Sequence, residues 1–296
     1  MKLTDRTYSL LLLTPAALFI LLFVAYPLCT LVYDSFHEVS LLALSDRTFV
    51  GFDNYEEAIS SSRVQDAATR TLQYTAITLS AEFFLGFMAA LLFKALGERS
   101  SLARTVFLFP LMIPPIVAGL LWRYMLMSNF GIVNWILDWL GIIQTPNDIS
   151  WLGDTSIVLF SVAIPDIWLT TSFVAMVTFT GLQNIPQEII EAAKIDGAGA
   201  IQTFRRITLP LLRPVIAVVL IIRGIDAART FDMIWIQTEG GPRFASEVLS
   251  LQVYRTMIRY GRLGEASAVA ALFMIGLLVL SLIAFYSIWR PGLSDT

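Results

Sequence analysis

Cysteine and histidine are almost absent from this sequence: Cys29 and His37 stand alone. A single cysteine excludes an internal disulfide framework, and one residue of each kind leaves no ligand set for a zinc or iron–sulfur centre. Charge is scarce as well. Asp, Glu, Lys and Arg make up 15% of the 296 residues, against roughly a quarter in soluble domains. The net charge of −3 offers no basic field for nucleic acid. No G-x-x-x-x-G-K-[S/T] phosphate loop occurs, and Gly197-Ala-Gly199 is only a fragment of one. With His37 alone in a polar stretch, the nucleophile–base or metal constellation of a membrane enzyme cannot be assembled, so no catalytic and no metal residue is expected.

What fills the chain is apolar: 56% of residues are hydrophobic, in long runs that place it in a lipid bilayer. The runs predict an all-α integral membrane protein with six transmembrane helices, at about 10–33, 71–93, 105–127, 155–179, 214–235 and 266–289. The first is longer than a signal-peptide core and is read as a retained helix, with Cys29 as a small buried residue in it. Prolines 15, 27, 110, 114, 115 and 165 lie within spans, where they mark kinks. Pro291 follows the last span and, with Arg290, stops it. The fifth span is weak, with an uninterrupted apolar core only from Val215 to Ile222.

Residues 129–153 hold no lysine or arginine, and Ile132, Trp135, Ile136, Trp139 and Leu140 fall at helical spacing. They predict a short helix, either lying in the membrane interface or packed on the protein. Six spans put both termini on one side. Loops on that side carry ten lysines and arginines against seven on the other, which places the termini in the cytoplasm.

Residues 182–212, between the fourth and fifth spans, form a long polar connection. Pro186 suits a helix start with Asn184 as cap, and Glu188 and Glu191 suit its positive end. Asp196-Gly197 is a helix stop, and Ala198 to Ile207 predicts a second helix ended by Pro210. A helix, a glycine corner and another helix fit a docking element and a self-packed hairpin equally.

The fifth span carries Arg223, Asp226, Arg229 and Asp232, each three residues from the next and opposite in sign. Neighbours can pair, yet the set drifts by about −60° per step and cannot line one face. Charges at such depth face protein or water. The ladder is therefore either a polar wall lining a solute path or a structural ion-pair ladder, with Arg123, Glu82 and Asp166 as cross-helix partners. Trp122, Tyr124, Trp168, Phe231 and Trp235 also lie within spans, as flat stacking surfaces for a solute or as packing.

The connection resembles the EAA loop of ATP-binding-cassette (ABC) importer permeases, E-A-A-x3-G-x9-I-x-L-P. Glu191, Ala192, Ala193, Gly197, Ile207, Leu209 and Pro210 occupy every fixed position. Phe49 to Tyr55 (FVGFDNY) resembles a second family stretch. Phe231 to Thr238 (FDMIWIQT), followed by Gly240-Gly241-Pro242, is similar to a third, as are Tyr260-Gly261 and Glu265 to Ala268. The resemblance covers the whole chain, 1–296, as one transmembrane permease domain of the carbohydrate, maltose-transporter-like class with a type I importer core. Trp235 and Gln237 depart from the usual residues.

That resemblance implies half of a translocation path in a bacterial inner membrane. It implies a second permease subunit in a heterodimer, two cytoplasmic ATP-binding subunits that hold ATP and magnesium, and an extracytoplasmic solute-binding protein. Glu191, Ala192, Ala193, Asp196 and Gly197 would couple to the ATPases. Arg223, Asp226, Arg229, Asp232, Trp122, Trp168 and Trp235 are the expected solute path. No cofactor is expected in this chain, and no nucleic acid. The solute expected is a di- or oligosaccharide or a sugar derivative, with a glycerol-phosphate or sulfonated glycoside as the alternative. A self-contained secondary transporter is the distant rival; it predicts inverted repeats, and no clear repeat is visible.

Overall fold

The computed structural model describes residues 5–288 and is mainly helical. Trp289, Arg290-Pro291 and the first four residues, which bear on the ends of the outermost spans, lie outside the described residues. Five stretches of helix are long and apolar enough to cross a bilayer: Leu12–Ser35, Ser62–Met112, Val158–Gln183, Ala200–Thr238 and Leu263–Ser287.

In chain order, α1 (Asp5–Ile20) passes through a wide turn, Leu21–Ala25, into α2 (Tyr26–Ser35). A hairpin of β1 (His37–Ser40) and β2 (Ala43–Phe49) follows, then α3 (Asp53–Ser60) and α4 (Ser62–Leu96). After α5 (Ser101–Phe107) and a tight turn, α6 (Pro115–Met125) begins, and α7 (Ile132–Trp139) lies in the next loop. α8 (Val158–Gln183), α9 (Gln187–Ile195), α10 (Ala200–Thr203), α11 (Leu209–Ala228), α12 (Asp232–Thr238), α13 (Leu249–Ile258) and α14 (Leu263–Ile288) complete the chain.

Two expected spans are broken. The stretch 105–127 is split at Ile113, whose extended backbone (ψ 129°) precedes Pro114. A residue before proline is pushed out of the helical region, so the prolines divide this span. α6, at ~1.5 Å per residue, is then too short to cross alone. The stretch 214–235 is likewise divided: α11 ends at Ala228, and α12 begins only at Asp232. Six continuous helices are therefore not what forms.

Other prolines behave in the opposite way. Pro15, Pro165 and Pro214 lie inside their helices, and Pro27 and Pro210 continue theirs with a π turn just before each: Tyr26 N–H reaches Leu21 O, and Leu209 N–H reaches Phe204 O. The wider turn relieves the clash that proline makes with the preceding turn. Pro210 therefore does not end the second helix of the 182–212 connection, which runs on into α11.

The chain folds as two compact units. One comprises residues 1–66 with 252–275, the other 67–251 with 276–296. In the first, Asn54 Nδ2 donates to the carbonyls of Ser35 (3.0 Å) and His37 (2.9 Å). Tyr55 Oη meets Ser35 Oγ at 2.6 Å. The FVGFDNY stretch thus ties α3 to the end of α2 and the start of the hairpin. Cys29 is exposed, contrary to the expectation of a buried residue, because α2 offers most of its surface outward.

The second unit has its main core where α4, α8 and α11 meet: Phe87, Ala90, Phe93, Ala175, Phe179, Leu182 and Leu212. A Cβ on Gly86 would lie 2.8 Å from Val174, so glycine lets α4 and α8 approach closely. Tyr74, Val158, Val162, Ile234, Val248 and Leu251 form another cluster.

Candidate functional site

The three helices of that core also carry its buried charge. Glu82 on α4 is fully buried, and Asp166 on α8 and Arg223 on α11 nearly so. Arg223 Nε and Nη2 donate to the two oxygens of Glu82, each at 2.9 Å, and Nη2 also reaches Asp166 Oδ1 at 3.1 Å. Tyr74 Oη donates to Asp166 Oδ2 at 3.1 Å. This fork-on-carboxylate geometry suits a desolvated site, where each charge needs its partner. Of the cross-helix partners expected for the ladder, Glu82 and Asp166 are therefore in place.

The ladder then divides by exposure. Asp226 links its two arginines, 3.7 Å from Arg223 Nη1 and 2.8 Å from Arg229 Nη2. The Arg223 side chain is 7% exposed and that of Arg229 is 66% exposed. Arg223 is enclosed by protein carboxylates, and Arg229 and Asp226 are accessible. Asp232 is set apart, since the helix stops before it. It opens α12, where a negative charge suits the helix start.

Arg123 is no partner of the carboxylates. Its Nη1 donates to Ile236 O at 2.8 Å, in the last turn of α12, where a cation is favourable. Gly119, one turn earlier on α6, faces Met233 and Ile236 so closely that a Cβ would lie 2.6 Å from Ile236. The carbonyl of Thr230, at the helix break, accepts a hydrogen bond from Ser250 Oγ. Trp122 and Trp168 meet edge to face at 6.1 Å, on α6 and α8. Trp235 instead stacks on Phe231 at 5.7 Å. Four of the five expected aromatic residues thus form two separate ring pairs, and Tyr124 is exposed.

The 182–212 connection has a clear polarity. On α9, Ile190 and Ala193 turn inward, and Ala193 is buried. Glu188, Glu191, Ala192 and Ile195 recur at helical spacing and are exposed, Ile195 at 87%. Ala198 N–H donates to Ala193 O (2.9 Å), and Gly197 N–H to Lys194 O (3.1 Å). Gly197 has φ +78°. This pair of bonds around a left-handed glycine is a Schellman stop, and it requires the glycine. Asp196 is the exposed residue just before it. Asn184 does not cap α9. It ends α8, and Pro186 takes the position before α9 because its ring already fixes an extended entry.

Among the described residues no group of His, Cys, Asp and Glu could hold a metal ion. Tyr74 and Ser250 are the contributors that the sequence did not single out. Glu82 and Asp166 announce themselves as acids inside apolar runs, whereas Tyr74 gives no comparable signal.

A family model described as the binding-protein-dependent transport system inner membrane component matches residues 82–295. The chain belongs to that family. It is a permease of ABC sugar importers, a membrane transport component rather than an enzyme, embedded as a multi-pass inner-membrane protein. The trehalose/maltose transport system permease protein of Thermococcus litoralis is 33% identical over 286 residues, 97% of this chain and 94% of that protein. The sulfoquinovosyl glycerol transport system permease protein of Agrobacterium fabrum is 35% identical over 270 residues, 91% and 86%. A solved bacterial ABC transporter involved in the import of the acidic polysaccharide alginate contains a chain of the same fold. Its TM-score is 0.81 at 24% identity, over 97% of both chains.

Proposed function

We propose that this permease forms half of the path for an uncharged di- or oligosaccharide. The observation that carries the reading is the charge balance where α11 breaks. Glu82, Asp166 and Asp226 pair with Arg223 and Arg229, three carboxylates for two guanidinium groups, while Asp232 stands apart at the start of α12 and Arg123 is occupied at its end. A neutral sugar gains hydrogen bonds from Asp226, Arg229 and Asp232 without meeting a net repulsive field. Trp122, Trp168 and Trp235 offer ring faces for its C–H surfaces. The permease of trehalose and maltose supports this solute class by its likeness.

The second reading is a sulfonated glycoside, supported by the likeness to the sulfoquinovosyl glycerol permease and by the accessible Arg229. A guanidinium can hold a sulfonate in bidentate fashion. Asp226 already occupies one edge of Arg229, and the surplus of carboxylates opposes an anion. Thermal shifts of the cognate binding protein across neutral disaccharides and sulfonated glycosides separate the two. Stabilisation by the sulfonated compounds alone would overturn the neutral-sugar reading.

In the assembly we envisage, the exposed face of α9 enters a cleft on a cytoplasmic ATP-binding subunit that holds ATP and magnesium. Glu191 and Ala192 touch the cleft, Ala193 fastens the helix, and Asp196-Gly197 sets the corner. Both termini are then cytoplasmic. A second permease completes the path as a heterodimer, two ATP-binding subunits drive it, and an external binding protein delivers the solute.

A further inference from the structure

Behind α9 lies a cavity of about 370 Å³. Lys94, from the end of α4, and Lys194, from the last turn of α9, both line it, and no carboxylate does. Lys94 Nζ donates to Leu182 O at 3.0 Å, which leaves its other N–H groups for a further acceptor. Two ammonium groups facing one space repel each other unless an anion is shared between them. The remaining wall is largely apolar, with Leu91, Leu182, Ile190 and Phe204. A free inorganic anion gains nothing from such a wall. An amphiphile does, because its charged head can meet the lysines while its first methylene groups cover the apolar side.

Lys94 follows the apolar run of α4, at the end where a spanning helix meets lipid headgroups. We propose that the cavity holds the phosphodiester head of an anionic phospholipid, bridging Lys94 and Lys194 and pinning α9 to α4. This rests on the reading above that the connection is cytoplasmic, where anionic lipid is enriched. The lipid would steady α9 without covering Glu191, Ala192 or Ile195, which are exposed and do not line the cavity.

The test uses the purified transporter complex in neutral detergent. It is offered phosphatidylglycerol or phosphatidylcholine, and native mass spectrometry counts the retained lipid. Phosphatidylglycerol should be retained selectively, and Lys194→Gln should lower its retention about tenfold, the effect of losing one charge-assisted contact. Lys94→Gln should do the same. That change also removes the contact to Leu182, so Lys194→Gln, at an exposed position, is the decisive variant. Equal retention of both lipids, unchanged retention in Lys194→Gln, or displacement by millimolar inorganic phosphate would each overturn the proposal. Retention does not depend on turnover. Labelling a cysteine at Ile195 from either side of the membrane, in a Cys29→Ser background, tests the cytoplasmic placement separately.

Discussion

At the scale of single residues, exposure separates side chains that composition treats alike. Arg223 and Arg229 are both arginines of one charged ladder, but only Arg223 is enclosed by carboxylates from two other helices. Removing one member of a buried pair strands the other, at a cost of about 3–5 kcal/mol. Glu82→Gln or Arg223→Met should therefore lower the yield of assembled complex and its melting temperature in detergent. Arg229→Gln should leave both unchanged and reduce solute uptake. Equal loss of assembly in all three would refute the division. Gly197→Ala forces a Cβ into a left-handed position, at about 1–2 kcal/mol. It should fray the end of α9, seen as faster amide exchange at Gly197 and Ala198, with the melting temperature of the complex little altered. The acids within apolar runs were legible in the sequence as buried groups in need of partners. Which ladder member would be buried was not, because that depends on where neighbouring helices pass.

At the scale of elements, α7 shows how a half-decided pattern is resolved. Its spacing allowed burial against the protein or against the membrane interface. In the fold Ile132, Trp135, Ile136, Trp139 and Leu140 are all exposed, Trp139 at 83%. The opposite face is fixed by Asn134, whose Nδ2 donates to Pro146 O (2.7 Å) and Ile149 O (2.8 Å) and whose Oδ1 accepts from Trp151. Exposed tryptophans in a membrane protein favour the headgroup level, which is where α7 is expected to lie. Trp135 and Trp139, as the only tryptophans retained in a variant, should be quenched by lipids brominated near the headgroup more than by lipids brominated at the chain ends. No quenching by either would exclude the interface. Asn134→Leu leaves two carbonyls and the Trp151 N–H without this partner, and should loosen the loop to proteolysis. The apolar periodicity made α7 legible. The π turns before Pro27 and Pro210 were not, since hydropathy does not record an i→i+5 hydrogen bond. The β1–β2 hairpin also escaped, because β2 is almost wholly exposed and carries no alternating apolar pattern.

At the scale of the whole molecule, the motifs of the sequence fall on different structural tasks. FVGFDNY fastens α3 to the end of α2, FDMIWIQT opens and fills α12, and the EAA stretch shapes an exposed helix with a fixed corner. From that corner the chain runs through a π turn into α11, which carries Arg223 into the buried carboxylates. In the proposed assembly, displacement of α9 would therefore act on α11 through continuous helix and a hydrogen-bonded corner, the physical link that coupling needs. The helical, multi-span outline was legible from apolar runs. The breaks at Pro114 and after Ala228 were not, because prolines mark kinks and stops alike, and charges inside a span do not say whether the helix continues.

The measurement that bears most directly on this account is the ratio of ATP hydrolysed to solute moved in proteoliposomes containing the whole transporter with Gly197→Pro. Proline cannot adopt φ +78° and has no N–H for Lys194 O. The corner is lost while the charged core of α4, α8 and α11 is untouched. The account predicts an assembled complex that still hydrolyses ATP and moves about tenfold less solute per ATP, about 1.4 kcal/mol in coupling terms. An assembled Gly197→Pro complex with the wild-type ratio would contradict it.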